Sequence, residues 1–333
     1  MKPARTILAT LPVSAAVLAV SGLLCTNLQA QTANWTGGGG DGLWKNPLNW
    51  DSGVPAEGTN VIIGAGSIVT YDAPMAAGSF AGLSLSGVLN VNASGFTIDT
   101  GGLVPLTGEA TSLLSVGSQG VVTITNSGLA TLNTDSAIAV QGGTFIMSDN
   151  LPAGSGINLG LNGNNAGAGF TNNGGTVILD QRLQMRGRYS RFIMNGGTLE
   201  LRGGGGVFEG SNDQERPWLI NGGTASLGDF SISRTSGGGG LLLSNGVVTT
   251  TSLRVGTANA GAYATIYGGL LTNTGAFTVC DRANGATSGD RRIRLLVRGG
   301  TVVSTAPEGI IVVNQSNTSI PGTLANIGGI LEI

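Results

Sequence analysis

The chain has no histidine among its 333 residues. That removes Ser-His-Asp and Cys-His triads and every imidazole-ligated metal from consideration. Cysteine is nearly as scarce, with Cys25 and Cys280 the two present. Cys25 falls within the first thirty residues, which read as a removable leader, and Cys280 alone can make neither a thiolate zinc site nor an internal disulfide, so burial and hydrogen bonds must hold the fold. Cys280 reads as a small buried hydrophobe. After residue 30 the single lysine is Lys45; over the whole chain charged residues are 10% and the net charge is −2. Such a balance points away from nucleic acid as a partner. No metal and no cofactor is expected.

Long apolar runs are also missing, with one exception. "ILATLPVSAAVLAVSGLL" (Ile7 to Leu24) follows Lys2 and Arg5 and leads to "NLQA", which ends at Ala30. Residues 1–30 read as a secretory signal cut before Gln31. An uncleaved membrane anchor is the alternative, but a run of about 18 residues barely spans a bilayer, and Pro12 and the small-residue exit favour cleavage. The chain is therefore expected to be exported, to the cell surface or beyond it.

What the chain has in abundance is glycine, 59 residues of it. No Gly-X-Y period accompanies it, which excludes collagen, and 41% apolar content argues against disorder. The glycines punctuate short apolar runs instead. One signal recurs as "QGGTFIM" (Gln141), "NGGTVIL" (Asn173), "NGGTLEL" (Asn195), "NGGTASL" (Asn221), "SNGVVTT" (Ser244), "YGGLLTN" (Tyr267), "RGGTVVS" (Arg298) and "IGGILEI" (Ile327). Successive copies lie 22 to 32 residues apart. Spacing that loose, with strands that regular, suits stacked coils whose loops vary while their strands keep register. After each turn apolar residues alternate, as in Val177-Ile178-Leu179 and Leu199-Glu200-Leu201, and no helical period survives more than two turns.

This pattern predicts an all-β chain in which each coil lies on the one before. A Gly pair lets the backbone turn sharply at a corner, as at Gly174, Gly196 and Gly222. The preceding Asn173, Asn195 and Asn221 are expected to set their amides one above another, hydrogen-bonded along the axis. Thr then restarts a strand, to which its β-branch is suited. Residues 31–66 read as an N-terminal cap and residues 67–333 as the repeats, which are expected to continue past Ile333.

The repeat, together with the opening segment "NWTGGGGDGLWKNPLNWDSGVPAEGTNVIIGAG" (Asn34 to Gly66), resembles the autotransporter-associated β-strand repeat. The resemblance covers essentially the whole chain after the signal. It implies a right-handed parallel β-helix (β-solenoid), exported, often displayed at the cell surface, and commonly adhesive or matrix-forming. No terminal membrane barrel follows "GGILEI" at the chain's end. Outer-membrane or surface association would then depend on a region beyond Ile333.

Three groups could carry chemistry. Trp35, Trp44 and Trp50 fall within 16 residues, beside Asp41, Asn49 and Asp51. They read either as an aromatic cap on the first coil or as a sugar-stacking platform. The preferred reading is the cap. Arginines cluster in "QRLQMRGRYSRF" and "DRRIRLLVR". Arg186, Arg188, Arg292 and Arg294 could bind acidic glycans bidentately, or could simply be the outward alternates of Leu183, Met185 and Phe192. Asp213, Glu215 and Arg216 in "GSNDQERPW", with Asp281 and Arg282 behind them, are the weak candidates for carboxylate and arginine catalysis. The expected function is a structural or adhesive β-solenoid without catalysis, with extracellular polysaccharide or other surface components as partners. A polysaccharide lyase, glycosidase or lectin on the same scaffold is the alternative.

Overall fold

The structure is a computed structural model. It describes residues 31–74, 78–99, 106–108, 112–125, 129–132, 136–148, 156–159, 167–180, 182–185, 190–202, 207–208, 217–232, 239–256, 262–279, 293–312, 314–316 and 326–332. The proposed signal, residues 1–30, lies outside them, as do Cys25 and Cys280.

Three parallel ladders run the length of the molecule. The first stacks twelve strands, from Thr32–Asn34 and Asn60–Ile63 through Gly156–Leu159 and Asp229–Ile232 to Ile310–Val312. The second carries Ile68–Tyr71, Val88–Val91, Leu113–Val116 and Ala137–Val140. It continues through Pro217–Ile220, Gly239–Leu243 and Ala262–Ile266 to Ile293–Val297. The third begins with Phe96–Asp99 and Val121–Thr125 and ends with Leu270–Asn273 and Thr301–Ser304. Two long strands, Gly169–Leu179 and Arg191–Leu201, pass unbroken from the second ladder into the third. Between Gly82 and Ser304 each coil thus supplies one strand to each ladder, and the described residues form a three-sided β-solenoid.

The interior follows from alternation. Val177 and Leu179 are buried while Ile178 between them faces out, and Leu199 and Leu201 repeat this around Glu200. Equivalent inward positions stack coil on coil, as Phe170 over Phe192 over Trp218, paired in register. Fully burying one such side chain stabilises by about 1.5–3 kcal/mol. A lone coil would leave each of them half covered, so the fold exists only as a stack. Leu183, Met185 and Phe192 all point inward, as the alternation requires.

The corner between the second and third ladders is where the Gly-Gly signal sits. Its second glycine forms a column: Gly143, Gly175, Gly197, Gly223, Gly246, Gly269 and Gly300. A Cβ on Gly197 would run into the carbonyl oxygen of Gly175, and one on Gly223 into that of Gly197. Close stacking of backbone on backbone therefore demands glycine here, beyond the turn's own dihedral needs. The positive φ itself moves between the two glycines. It falls on the first at Gly142 (94°) and Gly174 (126°), and on the second from Gly197 (79°) onward. The switch coincides with the register shift at Asn172 to Thr176, where Asn173 pairs with Gly196.

The degenerate copy is displaced by one place. Val247 N bonds Gly223 O and Ser244 N bonds Ile220 O, so Gly246 belongs to the second-glycine column. Ser244 therefore stands where the preceding coil carries Asn221 and the following one Tyr267, and Asn245 where they carry the first Gly, Gly222 and Gly268. The last copy departs further. Gly328 and Gly329 lie within the strand Asn326–Glu332, whose Gly329 pairs with Ile293 of the second ladder, instead of at a corner. Asn314–Ser316 folds back antiparallel onto Asn326–Gly328 and takes the segment out of the repeat register.

Candidate functional site

The opening segment wraps the first coil with aromatic rings. Trp44 lies at the centre, its ring 4.7 Å from that of Trp50, 5.4 Å from Tyr71, 5.3 Å from Phe80 and 5.5 Å from Phe96. Trp35 stands edge-on to Trp50 at 5.0 Å. These edge-to-face contacts add to the area they bury. Trp44 and Trp50 are buried, and Trp50 Nε1 donates to Trp44 O at 2.8 Å. Stacking on a sugar needs an open ring face. Among the three tryptophans, Trp35 alone is partly exposed.

The polar residues beside them are committed to the same structure. Asp41 accepts from Leu43 N (3.0 Å), Asn46 Nδ2 (2.8 Å) and Asn49 Nδ2 (2.7 Å). Buried Asn49 in turn accepts from Gly39 N at 2.8 Å and donates to Leu43 O at 2.9 Å. A Cβ on Gly39 would collide with Asn46 and Asn49, which accounts for part of the glycine run. Asp51 accepts from Asn34 through both the backbone N (2.9 Å) and Nδ2 (2.6 Å). The Leu43 backbone N–H, then Asn46 and Asn49, hold the Asp41 carboxyl below its ordinary value. Asn34, through its side chain and then its backbone, does the same for Asp51. Both are ordinary surface carboxylates tuned by hydrogen bonding. Lys45 pairs with Asp72 at 2.8 Å, and this contact raises its pKa.

Of the arginine candidates, Arg294 lies on the outward side of the second ladder, opposite Tyr263. Arg186, Arg188 and Arg292 lie outside the described residues. So do Asp213, Glu215 and Arg216, and Asp281 and Arg282. Around Arg294 the second face is not bare, for outward Thr265 and Leu296 are buried, and Ile193, Leu219 and Leu242 are half-buried.

The corner amides do line up. Asn173 Nδ2 donates to Gln141 Oε1 at 2.9 Å, Asn195 Nδ2 to Asn173 Oδ1 at 2.7 Å, and Asn221 Nδ2 to Asn195 Oδ1 at 2.9 Å. Ser244, too short to reach, ends the column. Inside the same corner lies a residue that sequence reasoning missed. Asn172 is fully buried, accepts from Gly174 N and Gly175 N, and donates to Gly175 O and Thr198 O. The doubled "NN" before the glycines was its signal. On the third ladder, Thr144, Thr176, Thr198 and Thr224 stand in register on the outer side of those same four coils. Their side chains face away from the core and grow more exposed along the column.

Among the described residues no three carboxylate or cysteine side chains gather where a metal could be held. No described helix is long and apolar enough to cross a membrane. Compared with protein families, with characterised proteins and with solved structures, the chain matches none.

Proposed function

We propose that the chain is an exported structural or adhesive rod, related to the autotransporter-associated β-strand repeat, that contacts neutral extracellular glycans along its third face. The observation that supports this is the in-register Thr144–Thr176–Thr198–Thr224 column beside the Gln141–Asn221 carboxamide column. Hydroxyls and amides then recur once per coil, about 4.8 Å apart, in two uncharged columns. Uncharged donors and acceptors at a fixed interval suit a linear polymer of hydroxylated units lying along the axis. The aromatic cluster belongs to the cap in this reading and not to the binding stripe.

The test is retention of the purified chain on immobilised neutral and acidic polysaccharides. Replacing Thr176, Thr198 and Thr224 together by Val keeps shape and strand propensity while removing three hydroxyls. Retention on a neutral glycan should fall severalfold with folding intact. Unchanged retention would remove the stripe from the proposal. Release of reducing ends or unsaturated sugars by the wild-type chain would replace the structural reading with an enzymatic one.

A further inference from the structure

Four described Asn-Gly pairs sit on one corner of the rod: Asn173-Gly174, Asn195-Gly196, Asn221-Gly222 and Asn245-Gly246. Asn-Gly is the dipeptide most open to loss of the side-chain amide, because glycine has no Cβ to shield its own backbone nitrogen. That nitrogen attacks the asparagine Cγ, ammonia leaves, and a five-membered imide forms. Water then opens the ring, leaving aspartate or isoaspartate. Water is the one co-reactant, and the net change is an amide replaced by a carboxylate.

We propose that the carboxamide column is a kinetic shield, and that Asn245 is the site on this corner where the chain is converted first. The four asparagines are held to different degrees. Asn173 donates to Gln141 and accepts from Asn195, and Asn195 donates to Asn173 and accepts from Asn221. Each is tied at both ends of its amide, so Cγ is fixed along the rod axis and cannot swing toward the next backbone nitrogen. Gly174 N, the nucleophile for Asn173, is moreover engaged with Asn172 Oδ1 at 3.2 Å. Asn221 donates to Asn195 and accepts from no described residue. Asn245 is exposed and bonded to no described residue, because Ser244 occupies the column position and shifts it one place along the turn.

The order of conversion is therefore Asn245 first, Asn221 second, and Asn195 with Asn173 last. Each tie that must break before the attack slows it by a factor of up to about ten, the equivalent of roughly 1.4 kcal/mol. Conversion at Asn245 places a new negative charge on the outer corner, next to the glycan stripe, without touching the core. This inference stands whether or not the stripe binds glycan.

The experiment is incubation of the folded chain at mildly alkaline pH, with peptide mapping by mass spectrometry over time. A parallel sample in denaturant makes the four pairs chemically alike and gives the unshielded rates. In the folded sample Asn245 should convert about tenfold faster than Asn195, and the difference should collapse in denaturant. Ser244→Asn adds a rung able to reach Asn221 Oδ1, and should slow conversion at Asn221 toward the Asn195 rate. Asn195 converting as fast as Asn245 in the folded chain would overturn the proposal. So would a difference between them that persists in denaturant, or an Asn221 rate unchanged in a folded Ser244→Asn variant. Asn162-Gly163 and Asn284-Gly285 lie outside the described residues, and their peptides are followed separately.

Discussion

Asn195 and Asn173 are 22 residues apart in sequence and share a 2.7 Å hydrogen bond, side chain to side chain, from one coil to the next. That contact ties the corner turn to its neighbour outside the backbone ladder. Asn195→Ala removes this bond and the one from Asn221. At an exposed corner the loss should cost about 1 kcal/mol, read as a lowered urea midpoint with an unchanged slope. Asn195→Asp should cost more than Ala. The carboxylate can still accept from Asn221, but it faces the Asn173 oxygen with nothing to donate.

Gly197→Ala puts a methyl group against the Gly175 carbonyl at a residue whose φ is 79°. Backbone strain of about 1–3 kcal/mol should follow. Gly64→Ala is the control, for a Cβ there meets nothing within 4 Å. Its stability should be unchanged or slightly raised. Equal losses in the two variants would remove the stacking argument for the column.

Trp44→Ala empties the centre of the cap, where four rings converge. The cost should be about 3–5 kcal/mol, in the range of buried aromatic truncations. Trp35→Ala, at the partly exposed rim, should cost clearly less. If Trp44→Ala instead leaves the melting temperature unchanged and abolishes glycan retention, the cluster is a binding platform.

The cap should also loosen in acid. Asp41 and Asp51 both titrate below the ordinary 3.8 when folded. A depressed folded pKa gives stability that is present above the unfolded value and lost as pH falls through the folded one. Tryptophan fluorescence should therefore be flat at and above pH 5 and change below about pH 3.8. Asp41→Asn and Asp51→Asn together should remove most of that transition. A transition centred above pH 5 would contradict this.

Arg202 makes a two-pronged contact with Glu200, at 2.8 and 2.9 Å, yet both side chains are well exposed. Arg202→Ala should change stability by less than about 1 kcal/mol, and by less still at high salt.

Much of this fold can be read from sequence because its rules are local and repeat. Alternation at Val177 to Leu179 gives the inward face, and the Gly pairs mark the corner. Asn before them announces the amide column, since one residue type at one position of a stack must meet its own kind. Other features escape because they depend on what a neighbour does. Nothing in "SNGVVTT" alone tells that its glycine aligns with the second of each pair; the backbone bond from Val247 to Gly223 decides it. "IGGILEI" looks like another corner until the antiparallel pairing with Asn314–Ser316 removes it from register. The choice between cap and platform for Trp44 rested on which side of the ring was covered, and composition carries no such information.

The glycine column has an evolutionary corollary. Because each turn closes against the backbone of the turn beneath it, the permissible unit of insertion or deletion is a complete revolution of the chain. A change of part of a revolution would have to fall in the connecting segments away from this corner, where the intervals of 22 to 32 residues already differ. Descendants of such a gene can lengthen or shorten by whole revolutions while every surviving one keeps its original neighbours' geometry.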